Sequence, residues 1–367
     1  MAFDKTQIVK ALAKVIDPRS GQDIITMNMV RDLVVEEPQI NFTLELPGLQ
    51  ADGKAELHLA CVQAVQDLYP EADVNVHMMA RNAPQGGPAP SGLNQIRNII
   101  AVGSGKGGVG KSTVAVNLAL GLQKLGARVG LMDADLYGPS MPTMLGLKGQ
   151  RPKIQEVYGK PKLLPLEAHG LPVISIGFIV EPEQAVVLRG PRLAGIIKQF
   201  FNDCIWPPLD YLVVDLPPGT GDIQLTLVQT VPVTGAVIVT TPQEVAVADA
   251  IKATNMFLMP SVNVPILGVV ENMSWFTPKE LPDNRYYLFG KGGGKRLAKF
   301  SESMLLGQIP LVQGIRESGD AGKPAILDEA DGPLVEAFLQ VAQNTARQVA
   351  VRNELLGPTR RVEIQNP

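Results

Sequence analysis

A glycine-rich segment that follows a short apolar run constrains the fold more than any other feature. Residues 103–113 read GSGKGGVGKST and contain the pattern G-x-x-x-x-G-K-S from Gly105 to Ser112. The apolar residues 99–102 come directly before this segment and predict a buried strand. Apolar side chains recur at helical spacing after it. A strand, a glycine-rich turn and a helix in this order predict a sheet covered by helices, with an anion site at the turn.

The composition of this turn suits a polyphosphate. Glycine lets successive backbone N–H groups point at one anion, and the following helix adds the partial positive charge of its N-terminus. We expect Lys111 to reach the β- and γ-phosphates and the Ser112 hydroxyl to ligate Mg²⁺. The alternative is a turn that matches by chance, which the unbroken match over residues 103–113 disfavours. The predicted nucleotide-binding residues of the loop are Gly105, Lys106, Gly107, Gly108, Val109, Gly110, Lys111, Ser112 and Thr113.

Carboxylates follow two further apolar runs. Residues 129–140 (VGLMDADLYGPS) place Asp133 and Asp135 after one predicted strand, and residues 212–222 (LVVDLPPGTGD) place Asp215 after another. A single Asp at a strand end usually caps a helix or forms a turn, but three behind one phosphate loop lie along the same sheet edge. Asp135 is predicted to position the attacking water. Since Mg²⁺ takes few carboxylates besides phosphate oxygens and water, its predicted ligands, direct or through water, are Ser112, Asp133 and Asp215.

Composition excludes several other classes of protein. The chain has 367 residues, a formal net charge of −3 and 19% charged residues, so it offers no overall basic charge for nucleic acid. It has two cysteines, far apart and without a C-x-x-C pair, which fits a cytoplasmic protein rather than a disulfide scaffold. The first residues contain no apolar signal region, and no run of about 18 apolar residues predicts a membrane span.

The chain divides into four predicted segments. Residues 1–80 predict a small α+β domain, because helical and alternating apolar patterns follow one another there. Residues 81–95 are rich in proline and glycine and predict a linker. Residues 96–351 alternate apolar strands with helices, which predicts a doubly wound, mostly parallel α/β sheet around the phosphate loop. Residues 352–367 are predicted to form a C-terminal tail.

Taken together, these motifs resemble the Mrp/ApbC family of cytosolic iron–sulfur cluster carriers. The family belongs to the deviant-Walker-A P-loop ATPases, a group that includes MinD, ParA and the nitrogenase iron protein, and the resemblance covers nearly the whole chain. Residues 4–80 are similar to the small domain found in front of Mrp proteins and in iron–sulfur assembly factors, through Asp-Pro at 17–18 and MVRD at 29–32. The segments that resemble the Mrp branch are residues 133–140, 188–191 (LRGP), 215–222 and 268–274 (GVVENMS).

The resemblance implies roles for matching positions. Lys106 would reach across a homodimer to the partner's nucleotide, so that slow ATP hydrolysis depends on dimerisation. Asn272 would hydrogen-bond the adenine, and residues 309–320 resemble the loop that lines the base pocket. The implied cofactors are ATP, Mg²⁺ and a [4Fe–4S] cluster, and the implied partners are apo iron–sulfur client proteins and assembly factors, without nucleic acid or membrane. The predicted catalytic residues are then Lys106, Lys111 and Asp135.

The chain departs from the family where cluster ligands are expected. Many Mrp proteins carry a C-x-x-C after the Asn-Met-Ser segment and often a Cys-Pro in the front domain. Residues 275–290 contain no cysteine here, and residues 46–49 read LPGL. Four thiolates are the usual ligands of such a cluster. Cys61 and Cys204 lie in apolar helical patterns and are predicted to be core residues, so the sequence leaves the cluster ligands unidentified.

Two alternatives therefore stay beside the carrier function. The first is an ATP-switched scaffold or chaperone of iron–sulfur assembly that holds no cluster, which the missing C-x-x-C favours. The second is a positioning ATPase like MinD or ParA, which ranks last because the C-terminal residues lack the bulky apolar side chains of a membrane helix. The aromatic stretch after residue 274 fits either a lid packed on the ATPase core or a partner-binding surface.

Overall fold

The structure is a computed structural model. It describes residues 3–46, 53–80, 95–135, 138–157, 159–179, 195, 199–201, 203–221, 224–225, 228, 231–278, 280–281, 283–328 and 332–356. Several predicted features lie outside these residues: the LRGP segment, most of the LPGL segment, Asp222, the linker apart from its last residue, and the tail after residue 356. The predicted domain division stays a prediction.

The chain forms two compact units. The smaller comprises Met1–Ala89, Lys124–Ala127 and Ala346–Pro358, and the larger comprises Pro90–Gln123, Arg128–Thr345 and Thr359–Pro367. Within the described residues, no helix is long and apolar enough to cross a membrane.

The smaller unit is a three-stranded sheet with two helices. Strand β4 pairs antiparallel with β3 and parallel with β5, and its inward residues are the alternating apolar positions of the sequence pattern. Ile8, Leu12, Leu57 and Cys61 from the helices fill the core. The elements are α1 (Lys5–Leu12), β1 (Ile16–Asp17), β2 (Gln22–Asp23), β3 (Val30–Glu36), β4 (Gln39–Leu46), α2 (Lys54–Gln66) and β5 (Asp73–Ala80).

The larger unit is built on a sheet in which eight described strands pair in the order β10-β11-β7-β12-β6-β13-β14-β15. All neighbours are parallel except β10 and β11, which confirms the predicted fold class. A separate hairpin, β8 with β9, is largely exposed. The strands are β6 (Ile96–Ser104), β7 (Val129–Asp133), β8 (Lys153–Val157), β9 (Lys160–Leu164), β10 (Leu166–Ala168), β11 (Leu171–Ser175), β12 (Leu209–Asp215), β13 (Gly235–Thr240), β14 (Ile266–Glu271) and β15 (Leu305–Gln308).

Helices connect these strands, and most central strands are buried along their whole length. Strands β7, β12 and β13 are buried at every position and consist mostly of apolar residues, as expected of parallel strands covered on both faces. The C-terminal helix continues to Leu356, past residue 351 at which the predicted ATPase domain ends. Its residues from Ala346 onward belong to the smaller unit, where Ala350 and Val351 pack on the core. The helices are α3 (Lys111–Lys124), α4 (Met141–Met144), α5 (Glu244–Leu258), α6 (Gly293–Phe300), α7 (Gln313–Asp320) and α8 (Gly332–Leu356).

Candidate functional site

The candidate site lies at the carboxyl ends of neighbouring parallel strands. Strand β6 leads into the phosphate loop, which ends where α3 begins at Lys111. Next to β6, strand β12 ends at Asp215, and beside β12, strand β7 ends at Asp133 in the same row. Parallel pairing therefore brings together, at one sheet edge, residues that are more than 100 positions apart in the chain.

Glycine is required in the phosphate loop for two different reasons. Gly108 and Gly110 adopt left-handed backbone angles, with φ of 79° and 82°, which other residues rarely adopt. Gly105 lies against the backbone of α5, and a Cβ there would stand 2.1 Å from the carbonyl carbon of Asp249. Gly108 and Gly110 therefore allow the turn of the loop, and Gly105 allows it to pack against α5. The loop lines the cavity beside it.

Lys111 is the electrostatic centre of the site. Its Nζ lies 2.6 Å from Asp215 Oδ1 and 3.4 Å from Asp135 Oδ2, and only 6% of its side chain is exposed. Burial by itself lowers the pKa of this lysine, but the charges of Asp215 and Asp135 outweigh burial and raise it above its usual value. The lysine is consequently charged at neutral pH, ready to exchange a carboxylate for a phosphate.

Two buried carboxylates near Lys111, Asp215 and Asp133, have perturbed pKa values. Burial raises the pKa of Asp215, although Lys111 and the Ser112 hydroxyl act in the opposite direction. Burial, followed by the charge of Asp215, raises the pKa of Asp133 to about 7. Two buried carboxylates close together disfavour each other's ionisation, so the site favours a cation.

A cavity of about 280 Å³ opens beside these groups. Its lining includes Lys106, Lys111, Ser112, Thr113 and Asp135, together with the loop glycines. Among the described residues, Asp135 Oδ1 and Asp215 Oδ2 are buried without a hydrogen-bond partner. Such oxygens next to a serine hydroxyl suit Mg²⁺, which takes a few hard oxygen ligands and completes its shell with phosphate and water. The residues therefore fit a Mg²⁺–triphosphate.

A second cavity, of about 620 Å³, shares Gly110, Thr113, Gly138, Ser140 and Met144 with the first. Its other lining residues include the predicted base-binding residue and part of the predicted base loop, together with Arg316. Shared walls join a polar phosphate-sized space to a larger and more apolar one, which matches the two ends of a nucleotide. The lining residues on the predicted base side are Asn272, Met273, Pro310, Leu311, Val312, Ile315, Gly319 and Asp320.

The structure brings the predicted nucleotide and Mg²⁺ residues to this edge, and one of each kind, Asn272 and Asp133, makes unexpected contacts. Asn272 Nδ2 donates to the carbonyl of Val109 at 2.9 Å, so its amide also braces the phosphate loop. Asp133 is fully buried behind the cavity, where its oxygens accept hydrogen bonds from Asp135 N and Ser175 Oγ. Lys106 is half-buried at the cavity wall, and its carbonyl accepts from Ser104 Oγ at 3.0 Å.

Sequence reasoning missed several residues of the site. Ser175 bonds to Asp133, yet it ends a strand that carries no recognisable motif. Ser140 and Met144 line both cavities, and Pro218 lines the smaller one. Ser140 and Pro218 belong to the motif segments that follow Asp133 and Asp215, so the segments pointed to them even though their positions in the site were not predictable.

The cysteines do not fit a [4Fe–4S] cluster. Cys61 and Cys204 are both fully buried, one in the core of each unit, which confirms their prediction as core residues. Burial raises the pKa of each thiol to about 12, far from the thiolate that iron requires. The described residues contain no group of three or more His, Cys, Asp or Glu side chains placed to hold a metal.

The aromatic stretch has both a packed part and an exposed part. The backbone oxygen of Trp275 accepts from Leu311 N at 2.7 Å, and Phe276 bridges to Leu311 and Tyr286, so this part is attached to the predicted base loop. Tyr286 and its neighbour Tyr287 are 44% and 38% exposed. Both interpretations of the stretch therefore stay open.

Comparison with known proteins agrees with this geometry. A family model described as "NUBPL iron-transfer P-loop NTPase" matches residues 95–346, and one described as "Iron-sulfur cluster assembly protein" matches residues 5–78. An iron-sulfur cluster carrier protein from Synechocystis is 44% identical, over 94% of this chain and 97% of its own length. A protein of the same name from Deinococcus radiodurans is 45% identical, over 94% of this chain and 95% of its own.

Solved structures support the same assignment. A nucleotide-binding protein from Archaeoglobus fulgidus, in complex with ADP, is 36% identical and has a TM-score of 0.56, covering 67% of this chain and 93% of that one. The cell division ATPase MinD from Pyrococcus furiosus shares the fold at 23% identity, with a TM-score of 0.50 over 68% of this chain and 98% of its own.

Fold and site together define a P-loop NTPase whose fold is shared by MinD. The chain belongs to the family of iron-transfer P-loop NTPases that includes the iron–sulfur cluster carrier proteins, and the resemblance seen in its motifs is confirmed.

Proposed function

We propose that this protein is a cytoplasmic, homodimeric ATPase that binds and slowly hydrolyses ATP and delivers iron–sulfur clusters to apoproteins. The observation that carries the ATPase part is Lys111, a buried cation between Asp135 and Asp215 that lines the smaller of two adjoining cavities. The cargo is proposed because relatives over 94% of the chain bear the name of carrier. The proposed partners are a second copy of the chain, apo client proteins and assembly factors, without nucleic acid or membrane.

Each site residue has a proposed task. Lys111 leaves Asp215 and binds the β- and γ-phosphates, while the loop backbone from Gly105 to Thr113 holds the phosphate oxygens. Ser112 would ligate Mg²⁺ directly and Asp215 through water. The ion, when bound, neutralises charge that develops on the phosphate oxygens. Asp135, whose Oδ1 has no partner among the described residues, orients the attacking water.

The nucleoside end of the site is proposed to take adenine. Asn272 lines the larger cavity while its amide braces Val109, so a base hydrogen-bonded to Asn272 would be linked to the phosphate loop through one side chain. Residues of α7 and of the segment before it also line this cavity. Binding of the base at Asn272 would then influence the phosphate loop through the Asn272–Val109 hydrogen bond.

A second candidate function is a scaffold that organises iron–sulfur assembly without holding a cluster. The specific observation in its favour is that both thiols are buried, with pKa values raised to about 12. In both functions ATP binding and hydrolysis switch the protein between states. They differ in whether the cargo is bound by this chain or by a partner.

The deciding experiment is reconstitution under strictly anaerobic conditions, followed by gel filtration and by measurement of iron, acid-labile sulfide, the visible spectrum and ATP turnover. The carrier function predicts a stoichiometric cluster that passes to an apo acceptor. The scaffold predicts no retained iron with ATP turnover intact. The Cys61→Ala/Cys204→Ala double variant is the control for ligands, because loss of a cluster there would mean that a core thiol becomes available. Absence of ATP turnover in the wild type, under all conditions, would contradict both functions.

A further inference from the structure

Ser175 occupies a place that the established motifs do not explain. It ends strand β11, which pairs with β7 on the side opposite β12. The register sets Ser175 beside Asp133 and Asp133 beside Asp215, so the three residues form one row across three strands. All three are fully buried. A serine thus continues the row of carboxylates at the site edge.

The Ser175 hydroxyl uses both of its hydrogen-bonding capacities. It donates to Asp133 Oδ2 at 2.9 Å and accepts from Gly177 N at 3.0 Å. The second bond fixes the turn at residues 176–178, because Ser175 caps that 3₁₀ helix. With the donor committed to Asp133 and the acceptor to Gly177, the hydroxyl joins the turn to the carboxylate.

Asp133 in turn holds the segment that follows it at two points. Its Oδ1 accepts from Asp135 N at 3.0 Å, and its Oδ2 accepts, more weakly, from Met141 N at 3.4 Å. Both carboxylate oxygens are therefore bonded to donors of this chain, and at 0% exposure Asp133 lies behind the cavity wall. Asp133 is not among the residues that line the cavity, whereas Asp135 is, so the geometry favours a supporting task for Asp133 over metal ligation.

The turn that Ser175 caps also packs on the same segment. A Cβ at Gly177 would lie 2.8 Å from Pro139 Cβ and 3.2 Å from Pro142 Cγ. Gly138 and Ser140, beside Pro139, line both cavities of the nucleotide site. The Asp133 carboxylate therefore hydrogen-bonds the backbone of Asp135 and Met141, and the turn at residues 176–178 packs against Pro139 between them. Ser175 is hydrogen-bonded both to that carboxylate and to that turn.

We propose that Ser175 and Asp133 are positioning residues that hold Asp135 and residues 138–141 in the geometry needed for ATP hydrolysis. This inference rests on the proposed function, in which Asp135 orients the attacking water. The bond to Asp135 N fixes the backbone from which that side chain extends. A small displacement of such a group lowers turnover without removing the groups that bind the nucleotide.

The test is steady-state ATP hydrolysis by Ser175→Ala at varied ATP and varied Mg²⁺. Losing the hydroxyl is expected to lower kcat by roughly 10- to 100-fold, while the KM for ATP and the Mg²⁺ half-saturation stay within about twofold of wild type. Ser175→Thr, which keeps a hydroxyl on the same extended backbone, is expected to restore most of kcat. Asp133→Asn should likewise reduce kcat without a shift in Mg²⁺ half-saturation.

Ser301→Ala is the matched control. Ser301 is a buried serine of the same unit, and its hydroxyl donates to Leu297 O at the end of α6, away from the nucleotide cavities. Ser301→Ala should lower the unfolding temperature, as Ser175→Ala does, but should leave kcat unchanged. The inference would be overturned if Ser175→Ala had the same kcat as wild type, or if its loss of kcat only matched the loss of folded protein. A higher Mg²⁺ half-saturation in Asp133→Asn would overturn it as well.

Two further variants keep the result interpretable. Asp135→Ala, assayed in parallel, distinguishes failure of the positioning role from failure of the ATPase function. If Asp135→Ala abolishes turnover and Ser175→Ala leaves turnover at the wild-type rate, the positioning role fails while the ATPase function stands. If wild type itself shows no turnover, the function fails. Should Ser175→Ala not fold, Gly177→Ala decides, because its Cβ displaces Pro139 without removing either hydrogen-bonded group. An unchanged kcat there would overturn the inference.

Discussion

At the scale of single residues, the site is a balance between desolvation and charge pairing. Lys111 and Asp215 are both almost fully buried, and each alone would be costly to ionise. Their contact at 2.6 Å makes the charged lysine the stable form, while the pKa of Asp215 still lies above its usual value because burial outweighs its partners. Under the proposed function, an arriving phosphate would replace one anionic partner of Lys111 by another, and Asp215 would become available to a cation or its water.

The two cysteines give a prediction about reactivity and pH. Ellman's reagent at pH 8 should label neither thiol in the native protein within minutes and both after unfolding in guanidinium, because burial raises both thiol pKa values to about 12. Thiols in the unfolded chain ionise near their ordinary pKa of 9.0 and the buried thiols of the folded state do not, so the folded state holds more protons above that pH. The free energy of unfolding should fall as pH rises from 9 toward 12. Rapid labelling of a native thiol would contradict the burial and would favour a cysteine-bound cluster.

At the scale of helices and strands, predictability follows the source of each element's stability. Strand β13 (GAVIVT) is a nearly continuous apolar run that is buried throughout, so the sequence predicted it correctly. Strand β3 (VRDLVVE) mixes charged and apolar residues, and α7 (QGIRESGD) contains two glycines, so neither has a local pattern that reveals it. Contacts between elements define these two. Ser175 was missed for the same reason, since its role appears only when β11 pairs with β7.

Two glycines of the phosphate loop give a matched pair of variants. Gly105→Ala would place its Cβ 2.1 Å from the backbone of Asp249 in α5, and backbone cannot yield as a flexible side chain does. It should lower the free energy of unfolding by about 2 kcal/mol or more, measured with urea in the absence of nucleotide. A Cβ at Gly107 would meet nothing within 4 Å, so Gly107→Ala should change stability by less than about 1 kcal/mol. Equal effects would mean that the loop does not pack on α5 in solution.

At the scale of the whole molecule, the chain combines an NTPase unit with a small unit of the iron–sulfur assembly type. The motifs alone indicated this class, because phosphate binding demands a few residue types at fixed spacing. They did not indicate how cargo is held, because the residues expected for that task are absent and the two cysteines serve packing instead. The sequence therefore identifies the residues of the nucleotide site and does not identify residues that would hold a cluster.

Dimerisation gives the prediction that tests the switch as a whole. Lys106 lines the phosphate cavity and is half-buried, and its proposed task is to contact the partner's nucleotide. Lys106→Ala should keep ATP binding within about threefold while turnover falls by roughly 10- to 1,000-fold, since cationic side chains supplied in trans act on the transition state. Turnover per wild-type protomer should also rise with protein concentration.

Mixing two inactive variants decides whether Lys106 acts within its own protomer or across the dimer. In a heterodimer of Lys106→Ala and Asp135→Ala, the first protomer keeps its own Asp135 and receives Lys106 from the second, so one site is complete. Because half of randomly formed dimers are mixed and each has one complete site, the mixture should recover about a quarter of wild-type turnover under C2 symmetry. If Lys106 acted on its own protomer's nucleotide, neither site of the heterodimer would be complete, and the mixture would stay as inactive as its two components.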